Sequence, residues 1–389
     1  MKKKILAVTG IRSEYDILYP VLKELEKRDS FDLQLLVSGA HLSKWHGSTL
    51  ELIEKDGFDI ADKVDSLFMT DRLTQRPKAV ANLINGISQT VERENPDILL
   101  FVGDREESMA TCIVGNYMDK LVAHLGGGDP VFGNADDPVR TSCSRLAHIH
   151  FCFAEEYKKN LINSGEEPFR VFFSGNPALC NIDSVPVLSC NEISDYLNFE
   201  IEKEKYFVVL NHPLSSEVDD SYEQMKCIAQ SVCEVADSDG LKVVGIYPNT
   251  DPGSYGVIKA IDEIRSNSVS FFRNLPRDIF INLMRNSLCL VGNSSMGILE
   301  APHYKLPVVN AGNRQKGRLN AGNLVFVDYN KDAIVKEIRK SCFNNEYRAY
   351  IHSLQNPYGN GKAHMKIADI LENINVSDRK WHIKKNFFP

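Results

Sequence analysis

The chain has 389 residues, 43% of them hydrophobic and 25% charged, the balance of a soluble globular protein with material for two domains of about 150–200 residues each. A formal net charge of -7 argues against a nucleic-acid groove, which needs a concentrated basic surface. No apolar run reaches the roughly 18 residues of a membrane span, and the nine cysteines, none at C-x-x-C spacing and none clustered with histidines, argue against a zinc site or a disulfide framework.

At the N-terminus the apolar run Ile5 to Val8 is too short for a secretory signal and reads as a first buried strand, so a cytoplasmic chain is expected. Further buried strands are expected at Leu33–Val37, Ile98–Val102, Val122–Leu125, Ile149–Phe153 and Val171–Phe173. Between them Tyr15–Lys27 and Lys78–Glu94 carry helical spacing; Leu18, Val21, Leu22 and Leu25 share one face. The pattern weakens from about Asn181 to Lys203 and restarts at Tyr206–Leu210, Val243–Ile246, Val269–Phe272, Leu288–Val291, Val308–Val309 and Leu324–Val327. Alternation of this kind predicts parallel sheets covered by helices. The expected fold is α/β, two Rossmann-like doubly wound domains facing a central cleft, at 1–182 and 183–364, with a tail at 365–389 packing across both.

Ligands of such sheets sit beyond the carboxyl ends of the strands, and the unusual residues fall there. After the first strand, Gly10 permits a tight turn, and Arg12 with the amides of the helix start suits an anion, although a plain strand–helix turn reads as well. Asp104 and Arg105 follow the strand Ile98–Val102; Asp104 is a candidate acid or, alternatively, a helix cap. The glycines Gly126, Gly127 and Gly128 suit close ligand approach, and Asp129, Asp136 and Asp137 lie around that loop. Carboxylates paired in a cleft split into one base and one acid; Mg²⁺ ligation and ordinary capping are the rival uses. His212 ends the first strand of domain two, placed for acid/base or phosphate contact. From Gly292 to Pro302, glycines and serines between strand and helix would bare the amides of Ser294 and Ser295 to a diphosphate. Glu300, roughly two turns into that helix, could accept from ribose hydroxyls. Arg314, Lys316 and Arg318 form a compact cationic loop.

Together these stretches resemble the hydrolysing UDP-N-acetylglucosamine 2-epimerases of the sialic- and legionaminic-acid branch over nearly the whole chain. The resemblance is densest in Gly39-Ala40-His41-Leu42, Gly103-Asp104-Arg105, Asp136 through Arg140 with Leu146 to Phe151, and Gly292 to Pro302 with Arg314, Gln315, Gly317 and Arg318. It implies the glycosyltransferase-B type of fold with the nucleotide held mainly by domain two. It also implies diphosphate contacts at Arg12, Ser294 and Ser295, a ribose contact at Glu300 and a further nucleotide contact at Arg314. Asp104 and the Asp136 region match the family's catalytic acids, and His212 its catalytic histidine. Where many members carry a glutamate two residues after the histidine aligned with His124, this chain has Gly126; Asp129 stands three residues later.

The implied reaction is anti elimination of nucleoside diphosphate across C1–C2 to a 2-acetamidoglycal, followed by hydration to the free 2-epimer. N-acetylmannosamine is the expected product if the substrate is UDP-N-acetylglucosamine. A UDP- or GDP-linked 2,4-diacetamido-2,4,6-trideoxyhexose is the alternative substrate, and a glycosyltransferase of the same fold the alternative class. The reaction needs no metal, nicotinamide or flavin. The expected partner is a nucleotide sugar, without nucleic acid or membrane, and a homodimer or homotetramer is expected.

Overall fold

Thirteen strands arrange themselves in two wholly parallel sheets in the computed structural model, which describes residues 2–44, 49–68, 72, 74–130, 136–249 and 251–383, with the backbone but not the side chain of Asp136. Each sheet belongs to one of two compact units. The first ends at Asn181 and takes up the chain again from Tyr358, and the second holds Ile182–Pro357.

In the first unit the strands are β1 (Lys3–Thr9), β2 (Phe31–Ser38), β3 (Ile60–Val64), β4 (Ile98–Val102), β5 (Leu121–Leu125), β6 (Ile149–Cys152) and β7 (Val171–Phe173). They lie in the order β3-β2-β1-β4-β5-β6-β7. The helices between them are α1 (Arg12–Glu26), α2 (Leu50–Asp56), α3 (Gln75–Glu94), α4 (Glu106–Tyr117), α5 (Asp136–Leu146) and α6 (Glu155–Asn163). Leu18, Val21, Leu22 and Leu25 of α1 are fully buried, as their spacing predicts. Strands β4 and β5 are buried at every residue because helices cover both faces. Strand β3 was not foreseen: its sequence Ile60-Ala61-Asp62-Lys63-Val64 is only half-buried. It pairs with β2 alone, so an edge position never demanded a continuous apolar run.

Helix α7 (Ala178–Ser184) leads into the second unit, where α8 (Cys190–Leu197) opens with a capping box between Ser189 and Glu192. The strands are β8 (Tyr206–Leu210), β9 (Lys242–Ile246), β10 (Val269–Phe272), β11 (Leu290–Val291), β12 (Val308–Ala311) and β13 (Leu324–Val327), in the order β10-β9-β8-β11-β12-β13. Helices α9 (Ser221–Asp239), α10 (Ser254–Asp262), α11 (Arg277–Asn286), α12 (Met296–Leu299), α13 (Lys331–Phe343) and α14 (Asn345–Ser353) complete it. One face of this sheet packs Val209, Val243, Val291 and Val309 against Ile228, Val232 and Ile334. The other packs Val208, Val244, Leu290 and Val308 against Leu197, Leu283 and Met296. The expected α/β class, two doubly wound Rossmann-like sheets, is therefore present.

Helices α15 (Ala363–Asn373) and α16 (Arg379–His382) belong to the first unit. Lys3 Nζ reaches the Leu371 carbonyl at 2.9 Å, and the fully buried Arg170 guanidinium donates to the Trp381 carbonyl at 2.6 Å and to the carbonyls of Lys380 and Ile383. The segment from Tyr358 groups with the first unit, and these side-chain bonds to its carbonyls tie it there. Among the described residues no helix is long and apolar enough to cross a membrane.

Both sheets reverse their strand order at one point, between β1 and β4 and between β8 and β11. Loops leaving the carboxyl ends of those strands are where a doubly wound sheet offers space to a ligand. Gly10, Asp104, His212 and Ser294 all stand in them.

Candidate active site

In the first unit, the loop after β4 carries Asp104, and the loop after β5 carries Asp129. Arg140, on the second turn of α5, joins them. One guanidinium nitrogen makes a short ion pair with Asp104 Oδ2; the other lies 3.2 Å from Asp129 Oδ2 and donates to the Asp129 carbonyl at 2.9 Å. All three side chains are largely buried, with 14%, 13% and 4% exposure for Arg140, Asp104 and Asp129. A planar guanidinium with a fixed fork of donors can hold two separate carboxylates at one spacing. Asp104 is thus not a helix cap: Arg105 holds the N-cap position of α4, without a side-chain capping bond. Asp137 lies in the first turn of α5, half-buried, and the side chain of Asp136 lies outside the described residues.

Beneath this pair, His124 fixes the loop. Its ring is buried, stacks on Phe101 at 4.7 Å, takes a bond at Nδ1 from Ser144 Oγ at 3.2 Å, and donates from Nε2 to the Gly103 carbonyl at 2.9 Å. Gly103, at φ 83°, then turns the chain so that Asp104 leaves the sheet.

The carboxyl ends of β1 and β4 hold a feature that the sequence reading missed. Glu14 and Glu107 are buried there, at 9% and 6% exposure. Ser38 Oγ donates to Glu107 Oε1 at 3.3 Å, and Glu107 Oε2 has no partner among the described residues. A Cβ on Gly10 would stand 2.0 Å from Glu107 Oε1, so the glycine there accommodates a carboxyl group of the protein itself. Arg12 pairs with Asp16 at 3.3 Å, and Arg105 lies 3.8 Å from Glu106, which Arg76 also contacts. Burial drives the Glu14 carboxyl well above the usual range, and the neighbouring Glu107 charge adds to it. Burial and Glu106 push Glu107 the same way.

A raised carboxyl has a defined consequence for stability. Unfolded Glu14 releases its proton near 4.5, whereas the folded chain keeps it to higher pH. Above that value the native state binds more protons than the unfolded one, so stability falls as pH rises. Glu14→Gln removes this dependence. Its melting temperature is expected to gain on the native chain more at about pH 8 than at about pH 5; a difference independent of pH in thermal melts would contradict the assignment.

In the second unit, Asn293 organises the loops after β8 and β11. Its Oδ1 accepts the His212 backbone N–H at 2.8 Å, and its Nδ2 donates to the His212 carbonyl at 2.8 Å. Its own carbonyl accepts from Arg314 Nη1 at 3.2 Å and Gln315 Nε2 at 2.9 Å. Buried Arg318 braces Gln315 Oε1 at 2.6 Å. The two strand ends come this close because residue 292 is glycine, at φ 128°, with the site of a Cβ only 2.3 Å from the Leu210 carbonyl. His212 accepts at Nδ1 from the Asn249 backbone N–H at 3.1 Å. Burial, with the nearby Arg314 charge, lowers its pKa to about 3, against a smaller opposing effect of Asp251.

Two expectations for this loop need correction. The Ser294 amide is not bare, since it donates to the Leu210 carbonyl at 3.3 Å; the Ser294 hydroxyl in turn accepts from Met296 N at 3.4 Å. Glu300 does not lie two turns into a helix. Helix α12 ends at Leu299, and Glu300 occupies its C-cap just before Pro302, a residue that cannot continue a helix. Ser295 is the α12 N-cap residue, and its carbonyl accepts from Ile298 and Leu299 N–H, both at 3.0 Å. The structure thus gathers Asp104 with Asp129 in one unit, and His212 with Ser294 and Arg314 in the other. Among the described residues no group of three or more His, Cys, Asp or Glu side chains could hold a metal ion.

Residues 23–372 match the family model described as UDP-N-acetylglucosamine 2-epimerase. The chain is 33% identical over 375 residues to a UDP-N,N'-diacetylbacillosamine 2-epimerase (hydrolyzing) of Legionella pneumophila, covering 96% of this chain and 97% of that one. It is 32% identical to a GDP/UDP-N,N'-diacetylbacillosamine 2-epimerase (hydrolyzing) of Campylobacter jejuni, covering 85% of each. In fold it is similar to the crystal structure of UDP-GlcNAc 2-epimerase from Neisseria meningitidis bound to UDP-GlcNAc, with a TM-score of 0.80 over 95% of this chain and 99% of that one, at 19% identity. Two parallel sheets with these strand-end loops, and a family match spanning most of both units, make this chain a member of the UDP-N-acetylglucosamine 2-epimerase family.

Proposed function

We propose that the chain is a hydrolysing 2-epimerase: it converts a UDP-linked 2-acetamido sugar and water into UDP and the free sugar inverted at C2. The observation that carries this reading is the Arg140 fork holding Asp104 and Asp129 together at the carboxyl ends of adjacent strands. One carboxylate takes the proton from C2 as the C1–O bond to the diphosphate breaks, leaving a 2-acetamidoglycal. Water then adds its oxygen to C1, and a proton returns to C2 from the opposite face. Neither the elimination nor the hydration changes oxidation state, so no redox group is called for. The C2 proton is not acidic, so the barrier falls chiefly through stabilisation of the departing diphosphate by preorganised donors. Arg12, Arg105, the Ser294 hydroxyl, Ser295, Arg314 and His212 are proposed for that role, Glu300 for a ribose contact, and Asp136 and Asp137 for the proton transfers with Asp104 and Asp129.

UDP-N-acetylglucosamine, giving N-acetylmannosamine, is one substrate consistent with this chemistry. A UDP- or GDP-linked 2,4-diacetamido-2,4,6-trideoxyhexose is favoured by the names of two relatives at 33% and 32% identity. Both products are precursors of nonulosonic acids, made by a cytoplasmic enzyme acting as a homodimer or homotetramer in this reading. Incubating the protein with each nucleotide sugar in turn, without acceptor, and following products by mass spectrometry tests it. Free amino sugar and UDP are expected, with faster turnover of the diacetamido substrate. Release only when an acceptor is added would instead identify a glycosyltransferase.

A further inference from the structure

We infer that Asn293 is a positioning residue that holds His212 in the Nε2–H tautomer, so that His212 serves the reaction as a hydrogen-bond donor and not as a proton acceptor. The inference rests on the reading above for the reaction, and on the geometry of the second unit for the tautomer. Two reciprocal bonds of 2.8 Å between the Asn293 amide and the His212 main chain remove the freedom of that residue to rotate about its strand end. An amide suits this, because its oxygen accepts while its NH₂ donates. The ring is then set by its own bond: the Asn249 N–H points at Nδ1 at 3.1 Å, so Nδ1 carries the lone pair and Nε2 the hydrogen. Asn249 is itself braced by Asp251, whose Oδ2 accepts from Asn249 Nδ2 at 2.5 Å and whose N–H donates to Asn249 Oδ1 at 3.3 Å. Nε2 has no protein partner among the described residues.

The charges around the ring agree with this assignment. Arg314, held on the Asn293 carbonyl, opposes a second proton, and Asp251 on the β9–α10 loop favours one more weakly, with burial the largest influence against it. A ring that stays neutral cannot deliver a proton by cycling through the imidazolium. It can present one N–H to an oxygen that gains charge as UDP leaves, the work of an oxyanion donor. Asn293 thus joins donor and cation in one loop: its side chain fixes His212, and its carbonyl fixes Arg314 and Gln315.

Substitution and spectroscopy together test this. Glutamine can place an amide N–H near the position of Nε2, so His212→Gln is expected to keep kcat within about 10-fold of the native value, while His212→Ala loses about 10²–10³-fold, the usual cost of one preorganised donor. In the full chain with ¹⁵N-labelled histidine, without substrate, the His212 ring is expected to show the Nε2–H tautomer and no titration from about pH 5 to pH 9. In Asn293→Ala the ring is expected to mix tautomers and kcat to fall with little change in KM. Thermal melting identifies a variant that fails to fold, and the His212→Gln arm does not depend on Asn293. A His212→Gln enzyme as inactive as His212→Ala, a ring that titrates near neutrality, or an Asn293→Ala ring with unchanged tautomer would overturn the inference. Failure of the native protein to release sugar would instead remove the reaction assigned to it, while the tautomer measurement still decides the role of Asn293.

Discussion

Asp104→Asn is expected to lower kcat by about 10²–10⁴-fold, the range for loss of a positioned acid or base, with little change in melting temperature. The asparagine keeps an oxygen for the Arg140 guanidinium and the same volume, so the loop after β4 should stay in place. What it loses is the capacity to take a proton. The rate of UDP release from the preferred sugar, measured with the melting temperature of the same preparation, separates a chemical defect from a structural one. Native turnover in Asp104→Asn would remove Asp104 from the proton transfers and leave them to Asp129, Asp136 and Asp137.

Removing the cation is expected to do more. In Arg140→Met two largely buried carboxylates lose the charge they share. Breaking a buried pair by deleting one partner typically costs about 3–5 kcal/mol. A melting temperature lower by several degrees should therefore accompany a loss of activity of about 10²-fold or more. Arg140→Lys distinguishes charge from geometry. An ammonium supplies a point charge without the planar fork that spans Asp104 and Asp129. Stability is expected to return in part, and activity much less. Equal recovery of both would show that the site needs only a positive charge, not its spacing.

These two residues also show what a sequence can reveal. The buried strands at the reversal points were legible because both faces of a doubly wound sheet are covered: Ile98–Val102 and Tyr206–Leu210 are unbroken apolar runs with the observed bounds. Edge strand β3 was not, because its half-exposed residues obey no such demand. Asp104 and Asp129 announced themselves beside glycines at strand ends. Arg140 stood in the same motif, yet its role depends on contacts 36 and 11 positions away along the chain, which no local period encodes. The same holds for Glu107, 93 residues from Glu14, and for Asn293, 81 residues from His212. Gly10 reads from the sequence as a tight-turn glycine beside an anion site; what its missing side chain accommodates in the fold is the buried Glu107 carboxyl group, which no local pattern announces. The Ser294 amide was expected to be bare because Gly292 and Ser294 suggested an open loop; instead Gly292 brings β8 near enough for the Leu210 carbonyl to take that amide.

In the proposed reaction the C2–H bond is broken and remade while UDP leaves. The most direct test incubates the protein with UDP-linked 2-acetamido sugar in D₂O, with no acceptor, and examines the released sugar by NMR. UDP and a free sugar of inverted C2 configuration carrying one deuterium at C2 are expected. A released sugar with hydrogen and the original configuration at C2 would contradict the proposed reaction, because simple hydrolysis at C1 would then explain the product.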